Sequence, residues 1–275
     1  MINQQKNFLT FSFVVILVGA ISIYIYKDLH KPVSSPISQP EGNQNLPVSI
    51  ISGKPGQNYK IEAVPIASSS PKTAQKSPKI PNLSLPAVNH SQLDNTTFEI
   101  VAKNIGILAN DLKKDPKDEL KWLNLAIFRK MLGDYGSSVE ILNYIAILWP
   151  NDYVPYNNLA DLYQFYIKNY PLAEKNWLKV IELKPDYTDA YENLFTLYTT
   201  AYKEKQDHAL PILIKGLGQN PQNTGLMVNI ARYYRTAGDK AQAINYYTKA
   251  INEAKAQKND QLELSFQTEM AETLK

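Results

Sequence analysis

Two of the chain's three arginines, Arg232 and Arg235, stand three residues apart, adjacent on one face if their segment is helical. A guanidinium pair so placed can grip a carboxylate through parallel N–H donors. The competing reading is a solvated helix face, and both stay open at this point. Little other reactive chemistry is present. The three histidines, His30, His90 and His208, are too far apart for metal-ligand or base-nucleophile spacing. There is no cysteine, which removes disulfides, thiolate zinc ligands, thiol nucleophiles and a lipid-modified N-terminal cysteine. The stretches "GKPGQ" at 53–57 and "GLG" at 216–218 lack the strand–loop–helix setting of a phosphate loop. Carboxylates are numerous, but the sequence nominates no acid–base pair. We therefore expect no catalytic residue, no metal and no cofactor: a protein that is not an enzyme.

What must position the arginines is a chain of uneven composition. Ten of the seventeen prolines fall between residues 31 and 93, where six lysines face only Glu41 and Glu62. With a net charge of +3 overall, that leaves residues 94–275 slightly acidic. A nucleic-acid footprint would place the basic excess on the folded part, so no nucleic-acid partner is expected. Residues 27–93 show no hydrophobic period and too few apolar side chains to offset the entropy of ordering. They read as a disordered Pro/Ser/Lys-rich linker, with a reach of roughly 40–45 Å.

Ahead of it, "FLTFSFVVILVGAISIYIY" at 8–26 carries no charge. As a helix it would extend roughly 28 Å, close to the hydrocarbon thickness of a bilayer. Tyr24, Tyr26 and Lys27 at its end match interfacial anchors. We read 1–7 as a short tail and 8–26 as a transmembrane helix. A signal peptide cleaved near Val18-Gly19-Ala20 is the alternative, against which the apolar run continues through Ile25. The short tail favours an extracytoplasmic position for the C-terminal domain of this single-pass arrangement.

From about residue 95 the pattern becomes helical, and a five-letter word returns: "WLNLA" at 122, "YNNLA" at 156, "YENLF" at 191 and "MVNIA" at 227. Asn124, Asn158, Asn193 and Asn229 hold the same place in each. Pro116, Pro150, Pro185 and Pro221 share that period of 34 to 36 residues. Small residues recur on each segment, Ala126, Ala160 and Ala231, then Ser138, Ala173, Ala209 and Ala243. Such residues let antiparallel helices approach to about 8 Å. A period near 34 with an aromatic start, a small residue about twelve later and a closing proline resembles the tetratricopeptide repeat (TPR), a helix-turn-helix unit. Phe195 departs from the pattern, and the turns at "YIKNYP" and "AYKEKQD" are long.

The fold class expected is therefore all-α, a TPR-type helical solenoid. An incomplete capping repeat at 94–116 precedes units at 117–150, 151–185, 186–221 and 222–255, and a capping helix at 256–275 follows. The resemblance implies a concave groove lined by first helices, which takes up a peptide or partner helix. Its residues here would be Leu123, Ile127 and Met131, then Asn157, Asp161, Gln164 and Phe165, then Asp189, Glu192 and Thr196, then Val228, Arg232 and Arg235. That groove runs from apolar through acidic to basic. Leu123, Ile127, Asp189 and Asn193 stand where TPR receptors of chaperone tails carry basic clamps, which argues against that partner. The apolar set Leu120, Leu123, Ile127 and Met131 would be covered either by a partner or by the linker's own "NLSLPAV". The expected function is a membrane-tethered interaction adaptor or assembly factor with a protein or peptide partner. The alternatives are a structural subunit of a secretion or pilus-like complex and, further off, a carbohydrate-acting enzyme with an acidic pair in the groove.

Overall fold

Seven asparagine and aspartate side chains punctuate the chain. Asp94, Asp118, Asp134, Asn169, Asn223, Asp239 and Asn259 each accept a hydrogen bond from the backbone N–H three residues on. Each thereby starts a helix by satisfying one of its orphan donors. The computed structural model describes residues 78–275, and its helices are α1 (Asn95–Lys114), α2 (Glu119–Met131), α3 (Tyr135–Leu148), α4 (Val154–Asp161), α5 (Tyr170–Leu183), α6 (Thr188–Thr196), α7 (Ala209–Gln219), α8 (Thr224–Thr236), α9 (Lys240–Ala256) and α10 (Asp260–Leu274). The transmembrane reading of 8–26 lies outside the described residues. Among those described, no helix is long and apolar enough to cross a membrane.

Consecutive helices pack as antiparallel pairs, α2 with α3, α4 with α5, α6 with α7 and α8 with α9, and each second helix also contacts the next first helix. This is a TPR-type solenoid. Inside the first pair Ser138 Oγ donates to the Ala126 carbonyl at 2.8 Å, with both residues buried, so the small side chains bring the two backbones together. The aromatic and proline markers share a period for a physical reason. Trp122 Nε1 donates to the Pro116 carbonyl at 2.9 Å, and the Tyr191 hydroxyl donates to the Pro185 carbonyl at 2.8 Å. Each of these fully buried rings thus satisfies its polar atom on the turn that precedes its own helix.

The long turns of the second and third units are absorbed inside the helices. α4 runs on into a π-helical turn, Leu162–Ile167, and α6 into another, Leu197–Ala201, followed by a 3-10 turn at Lys203–His208. In the third unit the close approach falls on Gly216 of α7. A Cβ built there would lie 2.7 Å from Cγ and 3.0 Å from Cβ of Tyr191. Phe195, at the usual small position, turns half-buried toward the Tyr233 ring, 6.3 Å between centroids.

One boundary of the expected linker is corrected. Residues 78–93 follow a defined extended path against α2 and α3. The Arg129 guanidinium, 3% exposed, donates to the carbonyls of Leu85 (2.6 Å) and Pro86 (2.8 Å) and pairs with Asp134 at 3.3 Å. A buried cation requires acceptors, and this strap supplies two. The N–H groups of His90 and Ser91 both donate to the Leu132 carbonyl. Gly133, at φ 77°, allows that approach, since a Cβ there would meet Ser91 Oγ at 2.8 Å. The strap contains "NLSLPAV", whose Asn82, Leu83 and Leu85 lie beside Leu125, Arg129 and Ile141.

Two outcomes follow from this packing. Gly216→Ala gains about 1 kcal/mol of helix propensity but overpacks against Tyr191 by about 3 kcal/mol, so thermal unfolding should show a net loss of about 2 kcal/mol. An unchanged melting temperature would mean that α6 and α7 do not touch there. Arg129→Met should free the strap, and chymotryptic cleavage after Leu83 of the full chain should accelerate at least tenfold. Equal cleavage rates in parent and variant would contradict the anchoring role.

Candidate functional site

The inner face is built from residues spaced three and four apart on first helices, which share one side of each helix. Polar contacts tie successive first helices together along it. Lys130 of α2 pairs with Asp161 of α4, and its ammonium also lies 4.7 Å from the Tyr166 ring, which in turn meets Tyr135 at 5.1 Å. Asn229 of α8 donates to Glu192 of α6 at 3.3 Å. Arg232 of α8 forks onto Glu269 of α10, Nε at 2.8 Å and Nη2 at 2.6 Å, and Arg235 approaches Glu272 at 4.0 Å. Tyr247 donates to the same Glu269 at 3.1 Å.

These contacts settle the arginine question raised by the spacing. The pair does grip carboxylates, and they are the chain's own. The Arg232 bond, followed by burial in the opposite direction, sets the Glu269 carboxyl below its ordinary range, with Arg232, Tyr247 and Arg235 all favouring its ionised form. The basic end of the expected groove is thus neutralised by the last helix.

Three of the expected groove residues point elsewhere. Leu123 and Val228 are 2% exposed and belong to the core. Gln164 is buried, where its Oε1 accepts from Trp177 Nε1 at 2.7 Å across the α4–α5 pair. Position along a helix alone does not reveal which flank of the inner face turns under the neighbouring helix. Ile127, Met131 and Asn157 are half-buried; Asn157 Oδ1 is sealed from solvent without a hydrogen-bond partner. Asp161 and Arg235 are half-buried in their ion pairs, and Arg232 is exposed. Phe165, Asp189 and Thr196 are exposed, and Glu192 is half-buried. The open surface is therefore narrower than expected and centres on the second and third units. Lys130, Tyr166, Glu269 and Glu272 belong to this face and escaped the sequence reading; the only available hint was Lys130, three residues beyond Ile127.

Glu192 is pushed above the usual carboxylate range, first by burial and then by Asp189, with Arg232 acting the other way. Among the described residues neither Asp189 nor Glu192 has a cation within ion-pair distance. A second acidic contact lies outside the groove residues. Glu119, at the start of α2, is pushed from 4.5 to about 7 by burial and by hydrogen bonding and repulsion from Asp152. Asp152 Oδ1 already accepts from Val154 N–H at 3.1 Å. Two carboxyls in contact can share a proton, but they lack the separation of about 5 Å or more that glycoside hydrolysis needs. Among the described residues no group of His, Asp or Glu is arranged to hold a metal ion.

The class these features define is a TPR-type helical solenoid with a mixed aromatic and acidic inner face. No protein-family model matches the chain, and no curated protein matches it in sequence. Solved structures are similar to it. MamA shares 22% identity at a TM-score of 0.48, covering 59% of this chain and 92% of its own. YrrB, described as a TPR protein with an unusual peptide-binding site, shares 13% identity at 0.42, covering 60% and 91%. PilF of Pseudomonas aeruginosa shares 17% at 0.45, covering 64% and 85%.

The Glu119–Asp152 contact carries a sign-definite outcome. A carboxyl raised in the folded chain contributes its stability below the unfolded value of 4.5 and loses it as the pH rises through about 7. Glu119→Gln removes that loss. Because the group is partly solvent-exposed, the variant should exceed the parent by only about 1 kcal/mol at pH 8, with a smaller difference at pH 5. Thermal melts at the two pH values decide it; a gain equal at both would rule out the shared proton.

Proposed function

We propose that the protein is a non-catalytic adaptor that holds a protein or peptide partner on the inner face of its solenoid, near a membrane in which residues 8–26 are embedded. The single observation that carries the reading is the exposed run of Phe165, Asp189 and Thr196, with half-buried Glu192, on two successive first helices. Side chains of this kind contribute nothing to the core, and a concave face formed by first helices suits uptake of a peptide or helix. The extracytoplasmic position of the solenoid belongs to the same proposal.

The test is photo-crosslinking in native membranes with the full-length chain. Photoreactive residues replace Phe165 and Thr196, with a control at Leu178, which is exposed on α5, a second helix. One protein captured from both inner positions and not from Leu178 is the expected result. Equal capture at Leu178 would remove the inner face as the working surface. Stable stoichiometric co-purification through Leu178 would instead favour a structural subunit of a larger assembly. Accessibility of the solenoid to protease added outside intact cells tests the side of the membrane.

A further inference from the structure

Phe165, Tyr166 and Ile167 follow one another at the end of the π-turn that extends α4, each at least 40% exposed, with Tyr166 taken up by Lys130 and Tyr135. Phe165 lies four residues beyond Asp161, on the same side of the helix. On the next first helix Asp189, Glu192 and Thr196 share one side in turn. The charges around this surface are unevenly balanced. Asp161 is neutralised by Lys130, Arg232 is forked onto Glu269, and Arg235 faces Glu272. Lys130, Arg232 and Arg235 are thus each engaged by a carboxylate of this chain, whereas among the described residues Asp189 and Glu192 have no cation within ion-pair distance, Glu192 accepting only from the Asn229 amide.

From this balance we infer that the occupant of the inner face is a segment pairing a large apolar side chain, seated on Phe165, with a lysine or arginine that meets Asp189 and Glu192. This rests on the adaptor reading and names the chemistry of its partner. An acidic peptide would set like charges together at the centre, and Arg232 would offer it only the donors left over from the bidentate bond to Glu269. Complementary charge chiefly selects the partner and speeds encounter, while the apolar contact retains it.

The probes are two fluorescein-labelled twelve-residue peptides with leucine at helical spacing, one carrying lysine and the other glutamate at all charged positions. Anisotropy is read against the full-length chain in phosphatidylcholine nanodiscs, with empty nanodiscs as the blank. The lysine peptide should bind at least tenfold more tightly than the glutamate peptide. Asp189→Asn with Glu192→Gln should remove about tenfold of that affinity, and Phe165→Ser a similar factor, with unfolding curves matching the parent. Binding of the glutamate peptide as tightly as the lysine peptide, lost on Phe165→Ser, would overturn the basic partner while leaving the inner face as the site. Binding of neither peptide overturns the inference, and only crosslinking at Phe165 and Thr196 bears on the adaptor reading itself. If Phe165→Ser instead abolished attachment to anionic vesicles and left peptide binding unchanged, Phe165 would be a lipid contact and the inference would fall.

Discussion

The structure depends on the close approach of two helices within each repeat. A helix pair can come together only where one or both partners have almost no side chain, and the chain meets this need in different ways. In the first unit Ser138 sits under Ala126 and adds a hydrogen bond to its carbonyl. In the third Phe195 fills the usual small place, and the approach is transferred to Gly216 beneath Tyr191. The chain thus tolerates loss of the small residue at one place where another supplies the space. Once the pairs are this close, Leu159, Trp177, Tyr191, Leu213 and Ile230 fill the volume between neighbouring units. No single pair could hide those residues alone, so the stability of each unit is shared with the next.

A structure built by stacking must also be ended. At the C-terminal end α10 turns Phe266, with half-buried Leu262 and Met270, onto the core formed with α9, and leaves Leu264 and Gln267 outward. Glu263 and Gln267 bond each other at 3.0 Å. In the preceding first helix, Met227, Val228 and Ala231 are buried in the core shared with α9. That flank of α10 is therefore left to solvent. The N-terminal end is closed differently. α1 covers part of α2, and the strap at 78–93 covers Leu125 and Ile141 beside it, held by Arg129. An extended peptide there occupies the flank of the first helix pair where the stack begins.

The repeat was legible because two markers that share a period are two ends of one interaction. Trp122 bonds the carbonyl of Pro116 and Tyr191 that of Pro185, so the spacing of letters recorded a contact. The strap was not legible for the opposite reason. Its composition is that of a linker, and what fixes it is a cation more than forty residues away, Arg129, whose burial no local pattern reveals. The inner face was half legible. Helical spacing placed Asp161, Phe165, Asp189, Glu192, Thr196 and Arg232 on it, yet the same arithmetic also included Leu123, Gln164 and Val228. These lie at the flank of the stripe, where the rotation of each helix against its neighbour decides between core and groove.

Internal neutralisation changes what such a face can recognise. A row of charges read along the sequence runs from apolar through acidic to basic and implies a partner of mixed charge. Folding consumes the basic end, because Glu269 is held by both donors of Arg232 and by the Tyr247 hydroxyl. Two parallel charge-assisted bonds on one carboxylate are stronger than a single exposed ion pair. A competing carboxylate would find only the remaining Arg232 donors, next to the negative charge of Glu269. The cationic groups therefore act as structure, fastening the terminal helix to the unit before it. Asp189 and Glu192 are left with no cation within ion-pair distance among the described residues.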